Sequence, residues 1–145
     1  MAAEIAVVRL DPDLDLPAYA HDGDAGLALV AREDGVVAAG GGRLLMPTGI
    51  AIAIPPGHCG LVLPRSGLAL KHGVAVANAP GLIDAGYRGE IKCILLNTDP
   101  DQDYMVHRGD RIAQLLVQRF EPVVWAEVDS LDGYDRGGGF GHSGR

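Results

Sequence analysis

A turn-rich string in the middle of the chain, Asn78–Glu90, constrains the fold most strongly. One apolar segment, residues 73–77, leads into this string, and a second, residues 91–96, follows it. One proline and three glycines interrupt the string: Pro80, Gly81, Gly86 and Gly89. Because such residues terminate strands and form turns, we expect two strands separated by a sharp turn of the backbone.

A single carboxylate lies inside this string, directly after the apolar pair Leu82 and Ile83. An acid beside apolar side chains on a tight turn is expected to be held rigidly and partly desolvated, as suits a general base. Turn formation alone also explains Asp84, because Asp is a common turn residue. Arg88 and Glu90 are interpreted as structural residues, paired with each other or with another subunit.

The rest of the chain is expected to form short strands between turns. Its 145 residues include 21 glycines and 9 prolines, which helices tolerate poorly. Thr48–Ile54 places isoleucine at every second position, the period of a strand. Arg111–Phe120 fits either a helix or a buried strand, whereas Arg32–Gly42 is polar and glycine-rich like an exposed loop. Other strands are predicted at residues 5–10, 58–63, 73–77, 91–96, 104–106 and 123–128, with a helical turn at residues 67–72.

About ten short strands in one chain predict an all-β domain, a β-sandwich or jelly roll. We expect this domain to span residues 1–130. Residues 131–145 are rich in glycine and cannot build a core alone, so they are expected to form a flexible C-terminal tail. This tail is either a free end or a flap that orders over a ligand. Arg136 would supply charge, Ser143 a hydroxyl and Phe140 a face for stacking on a base.

Charge and cysteine content narrow the classes of function. The formal net charge of −7 argues against a nucleic-acid-binding surface, though not against one small anionic ligand. Cys59 and Cys93 lack metal-ligand spacing and are typical of reduced, apolar residues in a cytosolic protein. Residues 1–10 lack the apolar core of a signal peptide, and no apolar run approaches the ~20 residues that span a bilayer. We therefore expect a cytoplasmic protein without nucleic-acid or membrane partners.

Several other polar residues have both a functional and a structural interpretation. The string Pro64–Gly67 offers a guanidinium, a hydroxyl and backbone amides to an anion, or is an ordinary end of a strand. Gln114 lies in an apolar run and needs a partner, either a phosphate or a group inside the core. Asn78 could bind the edge of a pyrimidine or cap a turn. Tyr87 could form the wall of a pocket or fill the core.

Taken together, these strings resemble the five motifs of the trimeric dUTP pyrophosphatase (dUTPase) family, in order along nearly the whole chain. The third motif, Asn78–Glu90, is the most specific. The others are Asp24–Leu29, Pro64–Ala69, Gly109–Gln114 and the glycine-rich tail. The resemblance implies a jelly-roll subunit and a homotrimer whose active sites are built from all three chains. It also implies Mg²⁺-dependent hydrolysis of dUTP to dUMP and pyrophosphate.

The resemblance further implies a role for each site residue. Asp84 would deprotonate the water that attacks the α-phosphorus, while Mg²⁺ would be held mainly by substrate phosphates and waters. Tyr87 would lie under the sugar and exclude a 2′-hydroxyl. Asn78, Leu82 and Ile83 would bind uracil and deoxyribose; Arg65, Ser66, Gly67 and Gln114 would hold the phosphates; Lys92 would lie near the nucleotide; and Arg136, Phe140 and Ser143 would close the site.

Two positions depart from the family's pattern. Ala28 stands where the first motif normally has an Asp, which is expected to organise water around Mg²⁺. Arg136 stands one residue closer to Phe140 than is usual, so the flap must adjust its register. Two alternatives therefore accompany the dUTPase interpretation. One is a dCTP deaminase-like enzyme, and the other is a nucleotide-binding protein of the same fold with impaired catalysis.

Overall fold

The computed structural model describes residues 2–145 as ten β-strands and one short α-helix. Met1, the first residue of the predicted domain, lies outside the described residues. The elements in chain order are β1 Ala6–Arg9, β2 Leu27–Val30, β3 Gly35–Val37, β4 Arg43–Ala53, β5 His58–Leu63, α1 Ser66–His72, β6 Val74–Val76, β7 Gly81–Ile83, β8 Glu90–Asn97, β9 Tyr104–Val106 and β10 Arg111–Arg119.

Two antiparallel four-stranded sheets form the body of the molecule. Their strand orders are β1-β4-β8-β6 and β2-β10-β5-β7, and β3 pairs with β9 as a separate ribbon. Both sheets contribute to one core, with Leu29 and Leu115 from one and Ile52, Ile91 and Leu95 from the other. The architecture is an all-β, jelly-roll-like sandwich, which confirms the predicted fold class.

The isoleucine alternation predicts its strand correctly. Ile50 and Ile52 on β4 and Ile54, directly after its end, are all buried in the core. The strand begins at Arg43, however, and not at Thr48 as predicted. The pairing of β4 with β8 shifts register between Pro47 and Ala51, so β4 carries a bulge in its middle.

The central string departs from a simple two-strand turn. The predicted flanking strands pair as β6 and β8, with Val76 opposite Leu95. Between them, β7 pairs instead with β5 of the other sheet, with Gly81 opposite Val62. Residues 84–89 therefore carry the chain from one sheet to the other at the edge of the sandwich.

Two further segments contain strands, one of ambiguous pattern and one predicted to be a loop. Arg111–Phe120 forms β10, which pairs with β2 on one side and β5 on the other, so its apolar run is that of a central strand. The segment Arg32–Gly42, predicted to be entirely loop, contains β3, whose Val37 is fully buried. The loop prediction is wrong there because the strand lies in a glycine-rich string, which is typical of loops.

The predicted strand at residues 123–128 is wrong. The segment 121–145 contains no helix or strand, and the side chains of Val124 and Trp125 are 92% and 90% exposed. Apolar residues form a strand only where a neighbouring strand edge can accept them, and no edge within residues 2–145 pairs with this segment. We call residues 121–145 the arm.

The predicted helical turn at residues 67–72 is confirmed as α1. Gly73 ends this helix in the left-handed conformation, with φ of 67°, and donates its backbone N–H to the Ala69 carbonyl. Within residues 2–145 no helix is long and apolar enough to span a bilayer. Cys59 and Cys93 are buried and free, and burial raises the pKa of the Cys93 thiol to about 12.

Candidate functional site

A cavity of about 390 Å³ lies beside the segment 84–89 that crosses between the sheets. Its volume falls in the range of pockets that bind small organic ligands. Six predicted site residues line it: Asn78, Leu82, Ile83, Asp84, Tyr87 and Lys92. Apolar side chains of Leu45, Val62, Ile91 and Ile94 form its remaining walls, together with Gly81.

Strand alternation presents two of these residues to the cavity. On β7, Gly81 and Ile83 are buried and Leu82 between them is 63% exposed. On β8, Lys92 is exposed between the buried Ile91 and Cys93. The cavity is thus assembled from strands of different sheets, with exposed residues such as Leu82 and Lys92 next to core residues such as Val62 and Ile91.

Asp84 is exposed and lies at the start of the crossing segment. Its backbone carbonyl accepts a hydrogen bond of 3.1 Å from the N–H of Tyr87, which closes a turn. Asp84 therefore lies in a turn of the backbone. Because Asp84 is exposed, the predicted partial desolvation is wrong for this single chain.

Tyr87 forms a flat wall of the cavity. Its hydroxyl donates to the backbone carbonyl of Glu90 at 2.8 Å. A Cβ at Gly89 would lie 2.6 Å from the Tyr87 hydroxyl oxygen, so only glycine allows the ring to fold back over the chain. Arg88 donates to the backbone carbonyls of Ala85 and Tyr87. These contacts define the position of the ring.

Glu90 is paired with Arg32, not with Arg88, so the predicted pairing within the string is wrong. Arg32 Nη1 donates to Glu90 Oε2 at 3.1 Å, and the same oxygen accepts the N–H of Gly49 at 2.9 Å. The Glu90 side chain is only 14% exposed. Glu90 therefore links the third motif to the end of β2 and to the bulge of β4.

The ion pair continues into a longer network. Arg32 also donates to the Leu10 carbonyl at 3.0 Å, and its Nε lies 3.5 Å from Asp11 Oδ2. Arg108 Nη2 donates to the other oxygen of Asp11 at 3.1 Å. The hydrogen bond from Arg108 lowers the pKa of Asp11 to about 2. Four alternating charges thus run from Arg108 to Glu90.

The predicted phosphate-binding residues lie together at the junction of β5, α1 and β10, and none of them lines the 390 Å³ cavity. Arg65 Nη1 donates to the carbonyl of Arg111 at 3.0 Å, and Gln114 Nε2 donates to that of Pro64 at 2.9 Å. The interpretation of Gln114 as hydrogen-bonded within the fold is confirmed. Gly67 has open space at its Cβ position, which leaves its backbone accessible.

Ala28 occupies the cross-strand position opposite Gln114. It lines a second cavity of about 370 Å³ together with Asp13, Asp15 and Arg111, among others. Gly26 lies two residues before it, and a Cβ there would collide with Gln114 Oε1. The motifs around Gly26, Pro64 and Gln114 are therefore in direct contact. The methyl group of Ala28 provides no acceptor in this region.

A family model described as dUTPase matches residues 13–144 of the chain. The chain belongs to the dUTPase family. It is 58% identical over 141 residues to the deoxyuridine 5′-triphosphate nucleotidohydrolase of Thermobifida fusca, covering 97% of this chain and 78% of that protein. It is 59% identical over 132 residues to the corresponding protein of Mycobacterium leprae, covering 91% of this chain and 85% of the relative.

Solved structures of dUTPases share the fold. A variant of the Staphylococcus bacteriophage 80alpha dUTPase, in complex with dUpNHpp, has a TM-score of 0.87 and 24% identity, covering 99% of each chain. A variant of the dUTPase from phage phi11 of S. aureus has a TM-score of 0.80 and 23% identity, covering 88% of this chain and 98% of that one.

In this dUTPase-family chain, the predicted flap residues Arg136, Phe140 and Ser143 line neither cavity, and the arm around them is exposed. The structure of the single chain therefore does not bring them to the other site residues. Sequence reasoning missed the apolar walls of the larger cavity. Leu45 and Ile94 are cross-strand partners on β4 and β8. Strand alternation would have pointed to Leu45 had β4 been predicted from its true beginning.

Proposed function

We propose that this chain hydrolyses dUTP to dUMP and pyrophosphate in the 390 Å³ cavity, with Asp84 as the general base. Family membership supports the overall reaction, because relatives of 58–59% identity are named for it. The observation that carries the proposed site is that six predicted site residues, five of them from the third motif, line this one cavity.

The cavity suits the base and sugar of a deoxynucleotide. The amide of Asn78 offers a donor and an acceptor to the edge of uracil, as do the backbone groups of residues 82–84. The ring of Tyr87 would lie under the sugar, where a 2′-hydroxyl would collide with it. Lys92 would lie near the nucleotide.

The proposed reaction is an attack by water on the α-phosphorus. A new bond forms between the water oxygen and the α-phosphorus, and the bond to the oxygen that bridges the α- and β-phosphorus breaks. The carboxylate of Asp84 accepts the proton of the attacking water. Pyrophosphate leaves with the bridging oxygen. The exposed position of Asp84 on the cavity wall permits contact with such a water.

We propose that Mg²⁺ accompanies the triphosphate. Among residues 2–145 no group of three or more His, Cys, Asp or Glu side chains could hold a metal ion. In the proposal the ion is bound chiefly by phosphate oxygens and waters, which is how Mg²⁺ commonly binds beside nucleotides. When bound, Mg²⁺ offsets negative charge on the phosphates.

The distribution of the remaining residues supports a homotrimer with sites shared between chains. Arg65, Ser66, Gly67 and Gln114, proposed to hold the phosphates, do not line the cavity that contains Asp84. The arm, with Arg136, Phe140 and Ser143, forms no strand with the sandwich and is largely exposed. We propose that the jelly-roll domain of one chain and the arm of another complete each site, and that residues 131–145 close over the bound nucleotide.

Pyrophosphate release from dUTP, with and without Mg²⁺, tests the proposal. Asp84→Asn is expected to lower kcat by about 10²–10⁴-fold, the usual contribution of a positioned base, while retaining affinity for dUMP. Asp101→Asn, at an exposed loop position, is the matched control and should leave kcat unchanged. An Asp84→Asn variant with the parental rate would overturn the role of this carboxylate.

Ala28 favours one second candidate, a nucleotide-binding protein with impaired catalysis. That candidate predicts dUTP binding without pyrophosphate release. If the missing carboxylate limits the rate, Ala28→Asp is expected to raise kcat in the presence of Mg²⁺, because it adds an acceptor for metal-bound water. An unchanged kcat would mean that another group takes this role. Ammonia release from dCTP would instead identify a deaminase.

We also propose a cytoplasmic location. Both cysteines are free and buried, which is in keeping with a reducing compartment. Expression of a fluorescently tagged chain in a bacterial host, followed by fractionation, would test this location.

A further inference from the structure

We propose that Glu90 and Arg32 are positioning residues that fix the ring of Tyr87 and thereby enforce selection of deoxyribose over ribose. The inference rests on the proposed function, since it concerns the sugar bound in the same cavity. Neither residue lines that cavity. Both act through the backbone of the third motif.

The bulge of β4 provides the anchor for Glu90. Gly49 has φ of 79°, in the left-handed region, and its N–H donates to Glu90 Oε2 at 2.9 Å. A Cβ at this position would lie 3.2 Å from the Cβ of Asp11 and 3.3 Å from Leu14 Cδ1. Glycine is therefore needed both for the backbone conformation and for the close packing. The bulge turns an otherwise ladder-forming N–H toward a carboxylate.

Arg32 fixes the orientation of the Glu90 carboxylate. The guanidinium binds Glu90 through Nη1 and the Leu10 carbonyl through Nη2, so it cannot rotate freely. Arg32 is 33% exposed and Glu90 14% exposed on their side chains. Removing Arg32 would leave the largely buried Glu90 carboxylate without an ionic partner, whereas Arg32 without Glu90 would keep Asp11 at 3.5 Å.

The position of Glu90 is transmitted to the cavity by a single hydrogen bond. The Tyr87 hydroxyl donates to the backbone carbonyl of Glu90, so the ring is held at both ends of the segment 87–90. Tyr87 is 46% exposed, so this hydrogen bond matters for the orientation of its ring. If the Glu90 backbone shifts, the ring shifts with it. A ring that can move away no longer excludes a 2′-hydroxyl.

The test is the ratio of kcat/KM for dUTP to kcat/KM for UTP. Glu90→Gln and Arg32→Ala are each expected to lower this ratio by about tenfold. This factor corresponds to the free energy that one hydrogen bond typically contributes. Most of the change should be a gain in UTP turnover and not a loss of dUTP turnover. Arg32→Lys, which restores the charge without the fork, should recover part of the ratio.

A double-mutant cycle distinguishes positioning from general destabilisation. Because Glu90 acts through the Tyr87 hydroxyl, adding Glu90→Gln to Tyr87→Phe should not lower the ratio further. Asn97→Ala is the control for destabilisation, since the hydrogen bonds that it removes go to Val37, Gln102 and Asp99 and lie outside the network from Arg108 to Glu90. It should lower the melting temperature and leave the ratio unchanged.

An unchanged ratio in folded Glu90→Gln and Arg32→Ala, or additive effects in the cycle, would overturn the inference. If Glu90→Gln does not fold, the comparison of Arg32→Lys with Asn97→Ala provides the same test. The ratio of the affinities for dUMP and UMP is measured in parallel. Absence of pyrophosphate release by the parental chain would contradict the proposed function, and the affinity ratio would still decide the positioning role.

Discussion

Two glycines illustrate how a missing side chain shapes this site. Gly89 leaves room for the Tyr87 hydroxyl, and Gly26 leaves room for the side-chain oxygen of Gln114. In each case a methyl group added at the glycine would meet a polar atom of a proposed site residue first. Neither glycine has a positive φ, so close approach and not conformation requires them. Such a requirement is invisible in a single sequence.

Asp11 is expected to make stability depend on pH in the acid range. Its pKa lies at about 2 in the folded chain, below the ordinary value of 3.8, chiefly because Arg108 donates to it. A depressed folded pKa stabilises the fold above the unfolded pKa, and this stabilisation is lost as the pH falls toward 2. Urea unfolding of the parental chain and Asp11→Asn should differ most above about pH 4 and converge near pH 2.

The control for this comparison is Asp101→Asn, which should change the free energy of unfolding little at any pH in this range. A difference between the parental chain and Asp11→Asn that stays constant from about pH 6 to pH 2 would contradict the role of the carboxylate charge.

At the level of strands, the sequence predicts those elements that show a clear apolar pattern or are followed by a residue that ends a strand. β5 is predicted because it ends at Pro64, and most of the buried part of β4 is predicted because isoleucine recurs at period two. β3 and β7 are missed because each lies in a glycine-rich string, which is typical of loops and turns, whereas the equally short β6 and β9 are predicted. The first half of β4 is missed, since Pro47 within it argues against a strand.

The candidate site likewise has a part that the sequence predicts and a part that it does not. Its motif residues could be predicted from a contiguous string, and six of them do line one cavity. The wall formed by Leu45 and Ile94 depends on which residues face each other across β4 and β8. Alternation along a strand indicates which face a residue takes, but not which residue of a distant strand lies opposite it.

Asn97 is expected to be the most sensitive polar residue of the β8 end. It is fully buried, and its Nδ2 donates to the carbonyls of Val37 and Gln102 while its Oδ1 accepts the N–H of Asp99. Asn97→Ala would leave these groups without partners. We expect the free energy of unfolding to fall by about 3 kcal/mol, measured by urea denaturation at fixed chain concentration.

Gln118→Ala serves as the control for Asn97→Ala. Gln118 is an exposed residue near the end of β10, and its truncation should change the free energy of unfolding by less than about 0.5 kcal/mol. Equal effects of the two substitutions would contradict the importance given to the buried amide.

At the scale of the whole molecule, the arm is the part that the single chain leaves unexplained. Val123, Val124 and Trp125 are 69%, 92% and 90% exposed, next to one another in sequence. A contiguous apolar surface of this kind marks a contact with another protein surface. The proposed homotrimer accounts for it if each arm lies on a neighbouring chain.

Removing residues 121–145 is therefore expected to prevent trimer formation, whereas removing only residues 131–145 should leave the trimer and lower activity. Light scattering coupled to size-exclusion chromatography measures this directly, since the intact assembly should have three times the 15.1 kDa mass of one chain. A full-length chain that elutes as a monomer, or a trimer that persists without residues 121–145, would contradict this arrangement.

The uncovered arm has a consequence for how the protein behaves when it is scarce. In an isolated copy the exposed apolar residues of the arm are accessible to proteases and to unrelated protein surfaces. Its lifetime would then depend on how soon it meets other copies. If the chain forms the proposed trimer, assembly also stabilises the fold by mass action, and hydrolytic capacity would rise more steeply than chain abundance at the lowest abundances.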